Sequence, residues 1–183
     1  MVYLFLADGF EEIEALTQAD YLRRAGIKVC LAGIGGKTSV TGGHGISVNT
    51  DIDIEKVSLD DAEMIILPGG LGGVDGIKSS SKAMNLIKEA YEKKIYVAAI
   101  CAAPTILARL NLLKGVSAVC YPSMLEVLSE NGAVIKPESA VVKDGLIITA
   151  KAAGASEEFS FELIKALKGI NEAEKVRASI CAR

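Results

Sequence analysis

The sequence predicts a doubly wound α/β fold, a mostly parallel sheet with helices on both faces. Three observations carry that expectation. Ile95 to Ile100 and Met64 to Leu67 are unbroken apolar runs of strand length, the pattern of strands buried on both sides. Strand-like runs alternate with stretches of helical periodicity, as in the βαβ units of a parallel sheet. Glycine-rich loops stand at strand ends, most densely in Pro68-Gly69-Gly70-Leu71-Gly72-Gly73. No repeat, linker or low-complexity tract divides the 183 residues, so one domain, 1–183, is expected.

The elements follow in order. Val2 to Ala7 reads as the first strand and turns through Asp8-Gly9 into a helix from about Glu11 to Ala25. There Ile13, Leu16, Ala19 and Leu22 recur at helical spacing and Gly26 is the expected C′ residue. Glu11, Glu12 and Glu14 crowd its first turn, where carboxylates suit the helix dipole; this suffices for Glu11 and Glu12. Ile27 to Ile34 is the second strand, with Cys30 inside it. A glycine-rich excursion, Thr41 to Gly45, leads to a short strand near Ile46 to Val48. Ser80 or Ser81 caps a helix to about Lys94, with Ala83, Leu86, Ile87 and Ala90 facing inward. After Cys101 a helix runs to Leu113. Val116 to Cys120 is a strand, Met124 to Ser129 a short helix, and Val141 to Thr149 a hairpin across Asp144-Gly145. Helices over Ser156 to Leu167 and Asn171 to Arg177 complete the chain.

Composition excludes several functions. The net charge is −3 with bases interspersed among acids, and aromatics are few with no Trp, so nucleic acid is not an expected partner. The apolar start is too short for a membrane span and has no basic residues before it, so a cytoplasmic protein with reduced thiols is expected. Cys30, Cys101, Cys120 and Cys181 show no CxxC spacing, which argues against a zinc site. Gly36-Lys37-Thr38 lacks the glycine five residues earlier that a phosphate loop needs, since that residue is Leu31. A dinucleotide fingerprint from Gly70 fails at Asp75.

Chemistry concentrates at Cys101. The strand Ile95 to Ile100 ends in this cysteine, and Pro104 suits the first turn of a following helix. Cys101 therefore stands at the carboxyl edge of the sheet, where open α/β sheets bind ligands, beside a helix N-terminus that favours a thiolate. Ala99 and Ala103 keep the flanks small, as a sharp strand–nucleophile–helix turn requires. Taken alone, the segment equally fits a buried cysteine packed as a small hydrophobe. Pro68-Gly69-Gly70, at the end of another strand, lets backbone N–H groups approach a ligand.

Together, Phe10-Glu11-Glu12-Ile13-Glu14, Leu67-Pro68-Gly69-Gly70, Ala98 to Pro104, Lys143 to Thr149 and Gly154 with Phe159 resemble the ThiJ/PfpI family. The resemblance is to the branch of the Parkinson-disease protein deglycase, within the class I glutamine amidotransferase-like superfamily. It implies a flavodoxin-like three-layer α/β/α sandwich, usually a homodimer, with no cofactor and no metal. It also implies a reactive Cys101, a protonated Glu14 beside it, and an anion or oxyanion site at the N–H groups of Gly70 and Ala102. Around this pocket the resemblance sets Tyr121, where relatives usually carry histidine, and Gly154. His44 and Arg24 match positions that reach a partner subunit's pocket. The implied substrates are methylglyoxal, other α-oxoaldehydes or glycated molecules. The implied reaction forms a Cys101 hemithioacetal, uses Glu14 as proton shuttle and ends in lactate. The alternative is an oxidative-stress sensor or chaperone acting through Cys101 oxidation, which uses the same residues.

Two related chemistries are excluded. A protease of this superfamily carries histidine directly after the cysteine, and here that residue is Ala102. An amidotransferase needs a His-x-Glu pair, whereas the only histidine, His44, is followed by Gly45 and Ile46.

Overall fold

The computed structural model describes residues 1–182. In chain order the strands are β1 (Val2–Leu6), β2 (Val29–Gly33), β3 (Ser39–Thr41), β4 (Ser47–Asn49), β5 (Ile52–Asp53), β6 (Met64–Leu67), β7 (Tyr96–Ile100), β8 (Ser117–Ala118), β9 (Val134–Ile135), β10 (Val141–Asp144) and β11 (Ile147–Ala150). The helices are α1 (Glu12–Arg24), α2 (Leu71–Ser79), α3 (Ser81–Glu92), α4 (Pro104–Arg109), α5 (Leu125–Glu130), α6 (Ser156–Lys168) and α7 (Ile170–Ser179).

Seven strands form the central sheet in the order β10-β11-β7-β6-β1-β2-β5. All neighbours run parallel except the β10–β11 hairpin. Alternating side chains feed two cores. Phe5, Ile65, Leu67, Val97 and Ala99 join α2, α3 and α4 on one face, while Leu4, Leu6, Ile66, Ala98 and Ile100 join α1 and α6 on the other. This is the flavodoxin-like α/β/α sandwich.

Several elements depart from the sequence expectation. In α1 the expected Ala19 and Leu22 are buried and Leu16 is half-buried, but Ile13 is 55% exposed, and Glu12, Glu14, Ala15 and Gln18 complete the buried set. Gln18 is tolerated because Ser160 Oγ donates to its Oε1 (2.5 Å) and its Nε2 donates to the Ser156 carbonyl (3.2 Å), which joins α1 to α6. Helix α2 is an addition, since its Gly72, Gly73 and Gly76 are weak helix formers. Their role is close packing: a Cβ on Gly73 would sit 2.7 Å from the Phe10 Cα. Helix α4 stops at Arg109 rather than Leu113, where Asn111 turns to φ +58°. Strand β8 leaves the main sheet and pairs with β9. In the hairpin Asp144 pairs with Ile147, so the turn is Gly145-Leu146, one residue later than expected.

The topology decides what meets what. Strands β7, β6 and β1 are adjacent and parallel, so their carboxyl ends lie side by side. These ends lead into Cys101, Gly69-Gly70 and the start of α1. Residues far apart in sequence are thereby gathered at one sheet edge.

Candidate active site

Cys101 follows β7 with φ +62°, a left-handed conformation that a non-glycine residue adopts at a cost of about 1–2 kcal/mol. Backbone bonds hold it there. Its N–H donates to the Ala150 carbonyl (3.0 Å), its carbonyl accepts from the Tyr121 N–H (2.9 Å), and the Ala103 N–H closes the turn on the Ile100 carbonyl (3.0 Å). Pro104 opens α4, and Ala99 and Ala103 are fully buried. The thiol is half-buried, at the wall of a pocket of about 340 Å³ whose other walls include Glu11, Gly70, Leu71, Ala102, Tyr121 and Met124.

Glu14 comes from the first turn of α1 and is wholly buried. Its Oε2 accepts the Gly69 N–H at 2.8 Å, and its Oε1 has no geometrically aligned hydrogen-bond partner. Gly69 is the common floor: a Cβ there would fall on Glu14 Oε2 and lie 2.7 Å from the Cys101 Cβ. Burial raises the Glu14 pKa to about 7, against smaller lowering contributions from the thiol and the Gly69 N–H. Burial and then the Glu14 carboxylate push the Cys101 thiol up to about 12, while the Ala102 N–H pulls the other way. This corrects the expectation of a ready thiolate. Helix α4 has only six residues and does not offset a buried carboxylate. The pair gives up its first proton well before its second, because one negative charge opposes the other. A thiolate forms when Glu14 takes the thiol's proton, which removes the like charge beside it.

Gly70 and Ala102, the two residues expected to supply N–H donors, both line the pocket. Gly70 takes φ +82°, and among the described residues its N–H has no acceptor within the chain. A side chain there would collide with the Gly9 carbonyl and the Glu11 N–H, so only glycine lets this backbone come so near. The Ala102 N–H lies against the sulfur. Substituting Gly69 by alanine is expected to displace the Glu14 carboxyl from the sulfur without altering either residue. It should change the pH dependence of Cys101 alkylation by iodoacetamide, followed on its own peptide by mass spectrometry.

Other expected residues are placed differently. Tyr121 lines the pocket, and its N–H also fixes the elbow. Arg24 lies at the far end of α1, paired with Asp20 at 2.8 Å, about 15 Å of helix rise from Glu14. Gly154 sits in an exposed turn and does not line the pocket.

His44 is also outside the pocket, and its partner corrects the reading of Glu12. Glu12 is buried, and its carboxylate accepts the His44 N–H (2.7 Å), the Ile46 N–H (3.4 Å) and the His44 ring Nδ1 (2.8 Å). Burial pushes the Glu12 pKa up, but these bonds outweigh it and bring it down to about 2. The same contact raises His44. Glu12 is thus a latch that pins the Gly42–Gly45 turn to α1. A Cβ on Gly42 would fall on its carboxyl group. Glu11, Glu12 and His44 bring three possible metal-ligand atoms within 4.8 Å of one another, but the latch already engages both Glu12 oxygens. Glu11 also has a part that the helix dipole does not explain, because it walls the thiol pocket and its charge helps to raise Glu14.

Residues 1–166 match the sequence model of the DJ-1/PfpI family. The chain is 37% identical over 173 residues to the Drosophila melanogaster protein dj-1beta, covering 94% of this chain and 92% of that one. It is 29% identical over 167 residues to a Pyrococcus abyssi protein named a deglycase, covering 91% and 99% respectively. The crystal structure of Drosophila DJ-1beta superposes with a TM-score of 0.95 at 35% identity, covering 100% of this chain and 97% of that one. The chain belongs to the DJ-1/PfpI family.

Proposed function

We propose that this chain is a cofactor-independent enzyme acting on α-oxoaldehydes, of the glyoxalase III or deglycase type. The observation that carries the reading is the Glu14–Cys101 pair, held over Gly69 at the wall of an open pocket. A relative bearing the name deglycase supports it.

The chemistry balances without an external oxidant. Glu14 takes the thiol proton, and the sulfur adds to the aldehyde carbon of methylglyoxal to give a hemithioacetal. Its oxyanion lies within the reach of the Gly70 and Ala102 N–H groups. Glu14 passes the thiol's proton to the oxyanion and, as a carboxylate again, removes the hydrogen from the former aldehyde carbon. It delivers that hydrogen to the neighbouring carbonyl carbon while the hydroxyl proton moves to the neighbouring oxygen, a shuttle that its pKa near neutrality suits. The first carbon is oxidised to a thioester and the second reduced to a carbinol. Water then cleaves the thioester, releasing lactate and the thiol. Turnover in D₂O tests this: proton NMR is expected to find lactate with solvent deuterium at C2. No lactate, with site-selective sulfinate at Cys101 after mild peroxide, would favour the sensor reading instead.

We further propose that the chain works as a homodimer through the face carrying exposed Ile13 and Ile46. The Glu12 carboxylate accepts the Ile46 N–H at 3.4 Å, and Ile13 is the next residue of α1. In that assembly we assign His44 and Arg24 to the partner's pocket. Ile46→Asp is expected to convert a dimer into a monomer in sedimentation velocity; an unchanged sedimentation coefficient contradicts this assignment.

A further inference from the structure

Beside the thiol pocket lies a second hollow of about 190 Å³. The two share Leu71, Ala102 and Met124, so the surface next to the sulfur continues into it. Three short helices build it. Leu71, Val74, Asp75 and Lys78 fall at i, i+3, i+4 and i+7 on α2, with the two charged residues at the end away from the thiol pocket's Leu71. Thr105 comes from α4, and Met124 and Val127 stand three apart at the start of α5. Leu71 is 66% exposed and Val127 41% exposed. In a chain that buries most of its large apolar side chains, Leu71 lies open at the thiol pocket and Val127 at the hollow that adjoins it.

Size bears on what this surface receives. Methylglyoxal has five heavy atoms. Even at the ~30 Å³ of one liquid water per heavy atom, it fills less than half of the thiol pocket's 340 Å³ and leaves the adjoining hollow empty. Its single methyl group cannot cover Leu71, Met124 and Val127 together.

We propose that this apolar shelf is a substituent subsite, receiving an aryl or branched alkyl group of an electrophile whose reacting carbon faces Cys101. It rests on the α-oxoaldehyde reading above and refines it: aryl and branched α-oxoaldehydes are better substrates than methylglyoxal. Val127 is the specificity-determining position that belongs to the shelf but not to the thiol pocket.

The test compares wild type, Val127→Asp and Val127→Leu with two probe pairs. For turnover, kcat/KM for phenylglyoxal is expected to exceed that for methylglyoxal about tenfold, within the range that a few buried carbons confer. Val127→Asp should erase that ratio and Val127→Leu should keep it. Independently of turnover, alkylation of the Cys101 peptide by N-benzyl iodoacetamide relative to iodoacetamide is read by mass spectrometry. This ratio is expected to exceed the same ratio for glutathione about fivefold in wild type and Val127→Leu, and to match glutathione in Val127→Asp. Benzyl preference without turnover of either aldehyde would uphold the shelf and overturn the enzymatic reading. Turnover of methylglyoxal with no aryl preference in either assay would overturn the shelf alone.

Discussion

Replacing Cys101 by alanine is expected to lower kcat/KM for α-oxoaldehydes by at least about 10³-fold, because no other thiol stands in the pocket. Cys30 lies in β2, Cys120 is buried in the core, and Cys181 follows α7. The same position carries a stability signature. Cys101 is held at φ +62°, and alanine retains that strain while glycine does not. Cys101→Gly should therefore be as inactive as Cys101→Ala yet more stable by about 1 kcal/mol. For a chain of this size that raises Tm by about 2–4 °C in calorimetry. Equal melting temperatures would mean that the elbow stores no strain.

Glu14→Gln is the second large effect. Glutamine can still accept the Gly69 N–H but cannot take the thiol proton, so kcat/KM at pH 7.5 should fall by about 10²–10⁴-fold. The pH profile separates this from a structural defect. In wild type the reactive singly ionised pair is populated above about pH 7, so activity should rise through neutrality with a slope of one. In the variant that rise is lost and activity climbs only with the thiol's own ionisation. Stability moves in the opposite direction. The Glu14 pKa rises from 4.5 unfolded to about 7 folded, so the native chain binds the proton more tightly. The Glu14 contribution to wild-type stability is fullest below pH 4.5 and declines as pH rises through 7, by roughly 3 kcal/mol at about 1.4 kcal/mol per unit. Glu14→Gln should lack this decline, so the stability of the variant relative to wild type grows between pH 4.5 and 8, as urea titrations can measure.

The sheet and its elbow were legible because they depend on local signals. Unbroken apolar runs marked β6 and β7, and Pro104 marked the helix after Cys101. Other features depend on partners distant in sequence. Glu12 looked like a carboxylate suited to a helix dipole, because its donors are backbone N–H groups 32 and 34 residues away that carry no side-chain signature. Helix α2 was obscured by the glycines that let it pack against the β1–α1 connection. Ile13 fits a helical stripe whose Ala19 and Leu22 do face the core, but at the first turn α1 buries Glu12 and Glu14 and leaves Ile13 outside. The thiolate expectation weighed the helix N-terminus and left out the charge of a buried neighbour. Glu14 was singled out by resemblance, since periodicity alone does not separate it from Glu11 and Glu12.

The account depends on Cys101 and Glu14 exchanging one proton. The pH dependence of Cys101 alkylation by iodoacetamide, followed on its own peptide in wild type and Glu14→Gln, measures that directly. Two steps are expected in wild type, a partial one near pH 7 and a second toward pH 12, merging in the variant into one step below pH 12. A single wild-type step at the ordinary thiol value, unmoved by Glu14→Gln, would contradict it.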